Sequence, residues 1–195
     1  MKKILVLTAI ALGIAGMNAQ QTKSESGIEL IPRAGINISN QSIKNVSGEK
    51  SKVGFVGGIG VNIQTGVKSF SIQPEVNFIS KGTKVKSNGI TETYNFNYIE
   101  IPVLAKYSFG PLYVNAGPSI GFLTGKSDKV KAAYGKTHSV DFGIQMGAGL
   151  AIPAGPGKLI IDGRYNLGLN NISNEKGQSV KNRGVAITLG YAIPL

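Results

Sequence analysis

Apolar residues alternate with small or polar residues in eight separate stretches of this 195-residue chain. In the clearest stretch, from Val140 to Leu150, Val, Phe, Ile, Met, Ala and Leu alternate with Asp, Gly and Gln. Successive side chains of a β-strand point to opposite faces, so the pattern predicts a strand with one apolar and one polar face. Eight such stretches, the last ending at Leu195, predict an all-β protein whose sheet has two chemically different faces.

The predicted connections between these strands alternate in length. Tight turns are expected at Thr65-Gly66, at Gly110-Pro111 and across 153–157, where turn-forming residues are concentrated. The other four connections are longer and rich in Lys, Ser, Asn and Gly: residues 40–52, 81–93, 125–139 and 171–183. Short turns at one end and long loops at the other are typical of outer-membrane barrels, whose short turns face the periplasm.

Residues 1–19 have the order of a cleavable secretory signal peptide: a positive start, an apolar stretch and a small-residue cleavage motif. The apolar stretch is too short for a comfortable transmembrane helix. We therefore expect a signal peptide at 1–19, a short periplasmic segment at 20–27 and a barrel at 28–195. The chain has no cysteine, which excludes disulfides, thiolate metal sites and a cysteine nucleophile.

Two kinds of barrel share this alternation: a soluble lipocalin-like barrel is apolar inside, whereas a membrane barrel is apolar outside. Three features favour the membrane. The non-apolar face is mainly Gly, Asn, Ser and Gln, closure leaves no unpaired strand edge in lipid, and aromatic residues fall near the strand ends. Those near the long loops are Phe55, Phe78, Phe122 and Phe142, and those near the short turns are Phe70, Tyr107, Phe109, Tyr113 and Tyr191. We expect an eight-stranded antiparallel up-and-down transmembrane β-barrel, with the soluble carrier as an alternative.

Local irregularities are expected within some strands. Proline cannot donate a hydrogen bond to a strand ladder, so bulges are expected at the five prolines that fall within strands. These are Pro32, Pro74, Pro102, Pro118 and Pro194. In the fourth strand the apolar residues change from even to odd positions: Tyr94, Phe96 and Tyr98 are followed by apolar residues at every second position from Ile99 onward. This change of face predicts a bulge near Tyr98 or a loop that ends there.

The charged residues within the predicted strands share the polar face. They are Glu29, Arg33, Glu75, Glu100, Lys106, Asp141, Asp162 and Arg164. The interior of an eight-stranded barrel is just wide enough for its own side chains, and buried charges need partners. These residues are therefore candidates for an ion-pair network that fills the lumen and leaves no wide pore. A narrow ion channel is the alternative.

The long connections carry the excess positive charge of a chain whose formal net charge is +11. The basic loop candidates are Lys50, Lys52, Lys84, Lys86, Lys129, Lys131 and Lys136. On an outer surface they would face lipopolysaccharide phosphates, acidic glycans or acidic partner proteins. Solvated loop charge without a dedicated partner is the competing interpretation. Nucleic acid is not expected as a partner of an exported chain without a nucleic-acid-binding motif.

Some eight-stranded outer-membrane barrels are lipid A-modifying enzymes with serine, histidine and acidic residues at the site. The single histidine here, His138, is followed by Ser139, and adjacent strand residues point to opposite faces, so they cannot form a hydrogen-bonded pair. The glycine-rich segment 57–60 does not complete a dinucleotide motif, and no zinc or phosphate-loop motif is present. We expect no catalytic residue, no cofactor and no metal site, with the enzyme as an alternative.

The sequence from Asn97 to Tyr107, NYIEIPVLAKY, resembles the Y-[LI]-E-I-P-L-L-x-K-Y signature of the porin-family, PorT-like outer-membrane β-barrel domain. Residues 162–169 and 190–195 resemble the penultimate and closing strands of that family. The resemblance implies an OmpA/OmpX-like eight-stranded barrel of the bacterial outer membrane, without catalytic machinery. Together with the basic loops, it leads us to expect a structural, anchoring or binding role in contact with outer-membrane lipid and lipopolysaccharide. A protein partner in the envelope or in a secretion complex stays open. The family name does not establish a pore.

Overall fold

The computed structural model describes residues 27–43, 49–87, 90–127, 139–171 and 180–195. Within these ranges the chain forms eight strands: β1 Ile28–Ile43, β2 Glu49–Gln64, β3 Phe70–Ser87, β4 Ile90–Phe109, β5 Leu112–Lys126, β6 Val140–Ala154, β7 Gly157–Gly168 and β8 Val180–Pro194. Each strand pairs antiparallel with the next, and β8 pairs with β1, so the sheet is a closed barrel. The predicted all-β fold, an eight-stranded antiparallel up-and-down barrel, is therefore confirmed. The same ranges contain no helix long and apolar enough to cross a membrane.

The strands extend further toward the long-loop end than predicted. Only residues 44–48 separate the end of β1 from the start of β2, and only residues 88–89 separate β3 from β4, whereas loops were expected over 40–52 and 81–93. The prediction was wrong because it took polar composition as a sign of a loop. Backbone pairing does not depend on side-chain polarity, and Ser39 pairs with Lys52 in a regular ladder.

The short turns also differ in detail from the prediction. The β2–β3 connection covers residues 65–69 and not only Thr65-Gly66, and the Thr65 hydroxyl closes it by donating to the Phe70 carbonyl oxygen at 2.9 Å. The β4–β5 turn is Gly110-Pro111 as predicted, with Gly110 at φ 63°. The β6–β7 turn is shortened to Gly155-Pro156, with Gly155 at φ 61°.

Side chains alternate between the lumen and the outer surface along every strand. In β6, Asp141 faces the lumen and is 3% exposed, while the neighbouring Phe142 faces outward and is 52% exposed. The outward-facing exposed side chains include Ile36, Phe55, Ile59, Val76, Phe78, Val103, Phe122, Ile187 and Leu189. A polar interior and an apolar exterior are the reverse of a lipocalin-like barrel.

The proline positions do not bulge, and this expectation was wrong. Between β3 and β4, for example, Pro74 pairs with Val103 and Asn77 pairs with Glu100, so the register is the same on both sides of the interruption. The same holds at the other strand prolines. A proline removes one donor from the ladder, but its fixed φ still falls within the broad β region, so the remaining hydrogen bonds hold the register.

The predicted bulge near Tyr98 is confirmed. The register between β4 and β5 shifts between Asn97 and Tyr98, which pair with Gly125 and Leu123, so Thr124 of β5 is the extra residue. The alternation within β4 nevertheless stays in phase, contrary to the phase change that the sequence suggested. Phe96 and Tyr98 point into the lumen on the same face as Glu100, and each of the two aromatic side chains is 1% exposed.

The lumen holds apolar as well as polar side chains. One apolar cluster contains Val56, Ile79, Phe96, Tyr98 and Ala186, and a second contains Ile31, Tyr113, Ile160 and Ala192. Tyr113 was expected in the outer aromatic band at the short-turn end, but it is buried in the second cluster. The band itself retains Tyr107 and Phe109, which face outward and pack edge to face with ring centroids 4.7 Å apart.

Candidate functional site

The carboxylate of Glu75 is at the centre of a buried charge network in the lumen. Arg33 donates to its Oε1 at 2.6 Å, and Arg164 donates to both oxygens at 2.8 and 2.9 Å. The side-chain amides of Gln73 and Asn77 donate at 2.6 and 2.8 Å. Because Glu75 accepts five hydrogen bonds, its charge is well compensated away from water.

Asp162 is the second acid of this network and links the same two arginines. Its Oδ1 lies 2.9 Å from Arg33 Nη2 and 2.6 Å from Arg164 Nε. Its Oδ2 accepts from the Tyr113 hydroxyl at 2.7 Å and from the Asn115 amide at 3.0 Å. With two arginines and two carboxylates from β1, β3 and β7, the central network is electrically neutral.

A second buried ion group is built around Lys81. Its Nζ lies 2.7 Å from Glu100 Oε1 and 3.1 Å from Asp141 Oδ2. The amide of Gln145 donates to Glu100, and that of Asn182 donates to Asp141, each at 2.9 Å. The polar composition of residues 81–93 predicted a loop that included Lys81, so the main cation of this group was not among the lumen candidates. The signal was available, since Lys81 continues the odd parity of the lumen-facing residues of β3.

At the short-turn end, Glu29 pairs with a lysine that the sequence analysis also missed. Lys158 Nζ lies 2.7 Å from Glu29 Oε1, and the Asn62 amide donates to Glu29 Oε2 at 2.9 Å. Lys106 lies nearby with its Nζ 4.1 Å from the centroid of the Tyr113 ring. All eight lumen candidates thus point into the barrel, but Lys106 has no carboxylate within ion-pair distance among the described residues.

The basic loop candidates divide into three groups. Lys52 is a correction: it lies in β2, is buried in the lumen and donates to the Ser80 hydroxyl at 2.8 Å, because β2 begins at Glu49 and not after residue 52. Lys50 lies in β2 and Lys86 in β3, and the structure describes the backbone but not the side chain of each. Lys84 lies on the outward face of β3. Lys129, Lys131 and Lys136, and also His138, lie outside the described residues.

Lys84 belongs to a set of outward-facing basic residues at the long-loop end, which we call the basic rim. Its other members are Lys181 and Arg183, both near the start of β8. Arg183 pairs with Asn40 of β1 and Leu167 of β7 and is exposed. The sequence analysis had counted Lys181 and Arg183 only as part of a loop. Within the described ranges, histidine and acidic side chains form no group of three or more that could hold a metal ion.

Comparison with solved structures finds matches that cover most of this chain. The attachment invasion locus protein Ail of Yersinia pestis, solved with the heparin analogue sucrose octasulfate, is 16% identical with a TM-score of 0.49, covering 85% of this chain and 99% of Ail. Neisserial surface protein A is 16% identical with a TM-score of 0.49, covering 87% and 98% of the two chains. The outer membrane protein AlkL is 14% identical with a TM-score of 0.47, covering 92% and 96%. No match was found among the curated proteins.

The sequence itself matches a protein family over most of its length. Residues 18–174 fit the family described as the outer membrane protein beta-barrel domain. This range includes β1 to β7 and the charged residues of both buried ion groups. The chain therefore belongs to the outer membrane protein beta-barrel domain family.

Proposed function

We propose that this protein is a non-enzymatic outer-membrane barrel that binds anionic groups of the outer leaflet, above all lipopolysaccharide phosphates, through its long-loop end. The observation that carries the proposal is the basic rim directly above the apolar belt. Lys84, Lys181 and Arg183 face outward where the strands leave that belt. In a barrel whose short turns face the periplasm, this end faces the outer leaflet and the cell exterior.

The filled lumen supports a role outside the barrel over a role as a wide pore. Beside the Lys81 group, and again beside the central network, the remaining spaces are each only about 10 Å³. Such a space holds roughly one water molecule. Among the described residues, the two apolar clusters and the ion groups fill most of the lumen at these levels.

The narrower PorT-like assignment and export through the signal peptide at 1–19 are part of the same proposal. The motif from Asn97 to Tyr107 supports the PorT-like assignment. Its residues Tyr98, Glu100 and Lys106 are all buried on the lumen side of β4, so the motif describes the inner face of this strand. A protein partner in the envelope or a secretion complex would then meet the barrel at its exposed ends. Purification of the native protein in mild detergent would reveal such a partner as a stoichiometric companion.

Binding of the folded barrel to vesicles with and without lipopolysaccharide tests the rim. Each basic residue near an anionic surface contributes about 1 kcal/mol, or roughly fivefold in affinity. Changing all three rim residues to glutamine should therefore weaken binding by about two orders of magnitude at low salt. The single change Arg183→Gln should weaken binding roughly fivefold. Its matched single-charge control is Lys68→Gln, in the exposed β2–β3 turn at the opposite end of the barrel. Equal affinity of the triple variant and the unmodified protein would refute the proposal.

The non-enzymatic part of the proposal has its own test. His138→Ala would abolish lipid modification if the barrel were a lipid A enzyme with a histidine base. We expect the lipid A profile of cells that express this variant, measured by mass spectrometry, to be the same as with the unmodified protein. A modification that appears with the unmodified barrel and disappears with the variant would establish the enzyme instead.

A further inference from the structure

The short-turn end of the lumen contains a cavity that the proposed function does not use. Its volume is about 490 Å³, which lies within the range of about 300–1,000 Å³ typical of small-molecule sites. Its polar lining includes Glu29, Asn62, Ser71, Lys106, Ser108 and Lys158. The turn residues Gly110 and Pro111 also line it, so it opens toward the water beyond the short turns.

Among the described residues, no hydrogen-bond acceptor contacts the ammonium group of Lys106, a largely buried residue that lines this cavity. The residue is 5% exposed, and its Nζ contacts the face of the Tyr113 ring at 4.1 Å. An ammonium group carries three donors, and none of them meets an acceptor in the part of the chain that the structure describes. A cation–π contact offsets only part of the cost of burying this charge.

The carboxylates that act electrostatically on Lys106 are already engaged. They are Glu29 and Asp162. Both oxygens of Glu29 are occupied, by Lys158 at 2.7 Å and by Asn62 at 2.9 Å. Asp162 is held by the central network. Since the Glu29–Lys158 pair is neutral, the described lining of the cavity carries one positive charge without a paired carboxylate, that of Lys106.

We infer that this cavity binds a small soluble organic anion whose phosphate or carboxylate oxygens accept hydrogen bonds from Lys106. The hydroxyls of Ser71 and Ser108 line the same space and add neutral donors. Ser71 and Lys106 point into the lumen, so the anion arrives from water and not from the lipid around the barrel. The volume exceeds that of a bare phosphate, which leaves room for a polar body beside the charged group.

The test is a calorimetric titration of the folded full-length chain in dodecyl maltoside, a detergent without phosphate, at fixed ionic strength. Inorganic phosphate and glycerol 3-phosphate are the probes. Lys106→Met removes the charge with little change in shape, and Lys68→Met makes the same charge change in the exposed β2–β3 turn at the same end of the barrel. We expect saturable binding of glycerol 3-phosphate that weakens at least tenfold in Lys106→Met and is unchanged in Lys68→Met.

A second variant keeps the inference testable if Lys106→Met does not fold. Ser71→Leu retains Lys106 but fills part of the cavity, and it should weaken glycerol 3-phosphate more than inorganic phosphate, because the larger probe needs the lost volume. The inference is overturned if neither probe binds saturably to the unmodified chain. It is equally overturned if the folded variants bind both probes as tightly as the unmodified chain does.

Discussion

Replacing Glu75 with glutamine should destabilise the barrel by about 3–5 kcal/mol, the usual cost of removing one partner from a buried ion group. The carboxylate accepts five hydrogen bonds, three of them from the guanidinium groups of Arg33 and Arg164. Glutamine keeps the shape but replaces one acceptor oxygen with an NH₂ group that faces donors. Two buried arginines are then left with a single carboxylate, that of Asp162.

Urea unfolding of the barrel in phospholipid vesicles, followed by far-ultraviolet circular dichroism and by heat-dependent gel mobility, measures this loss. The chain has no tryptophan, so fluorescence is a poor probe. Glu29→Gln is the matched control, because the Glu29–Lys158 pair is partly exposed, with side-chain exposures of 13% and 41%. An exposed pair of this kind contributes at most about 1 kcal/mol.

The reasoning fails if Glu75→Gln lowers the free energy of unfolding no more than Glu29→Gln does. A double-mutant cycle with Arg164→Met adds a second check. Once Arg164 is gone, loss of the Glu75 charge should cost less, and a coupling of about 1–3 kcal/mol is expected between these two residues. Additive effects would mean that the network does not act as a unit.

Four further substitutions probe the packing and the turns. Phe96→Ala, which empties part of the apolar cluster in the lumen, should cost about 3–5 kcal/mol in the same unfolding assay, whereas Phe142→Ala on the outward face should cost distinctly less. Gly117→Ala should sharply reduce the folded fraction on a heat-modifiability gel, since an added Cβ would come to 2.0 Å from a backbone carbonyl oxygen of β4. Tyr191→Phe removes a hydroxyl that accepts from one backbone group of the β6–β7 turn at 3.0 Å and donates to another at 2.7 Å. It should cost about 1–3 kcal/mol by urea titration, and an unchanged midpoint would show that the turn holds without it.

The fold could be predicted from the sequence because its main determinant is local. In each strand of an up-and-down barrel, odd and even positions face opposite sides, so the sequence of one strand alone shows which residues face the lumen. Asp141 faces the lumen and the neighbouring Phe142 faces outward. Where composition and parity disagree, parity gives the correct answer: Lys52 and Lys81 look like loop residues by composition but lie on the lumen parity of β2 and β3.

The partners within the lumen could not be predicted in the same way. Lys81 and Asp141 are 60 positions apart in sequence, and their contact depends on the stagger between strands and on the barrel's diameter, which no single strand records. The aromatic residues of β4 misled for a related reason. Large aromatic residues such as Phe96 and Tyr98 are common on the lipid-facing surface of a barrel, but they also fill barrel interiors. Only the three-dimensional structure shows that these two fill the lumen.

The central network also constrains the order of events during assembly. Arg33 belongs to the first strand, whereas Asp162 and Arg164 belong to the seventh, so the four charges are complete only when the two ends of the sheet have come together. An unclosed sheet would expose Arg33 without one of its two counter-ions. The pairing of β1 with β8 and the neutralisation of these charges therefore occur together. An intermediate in which β1 and β8 are not yet paired carries an electrostatic cost that the closed barrel does not.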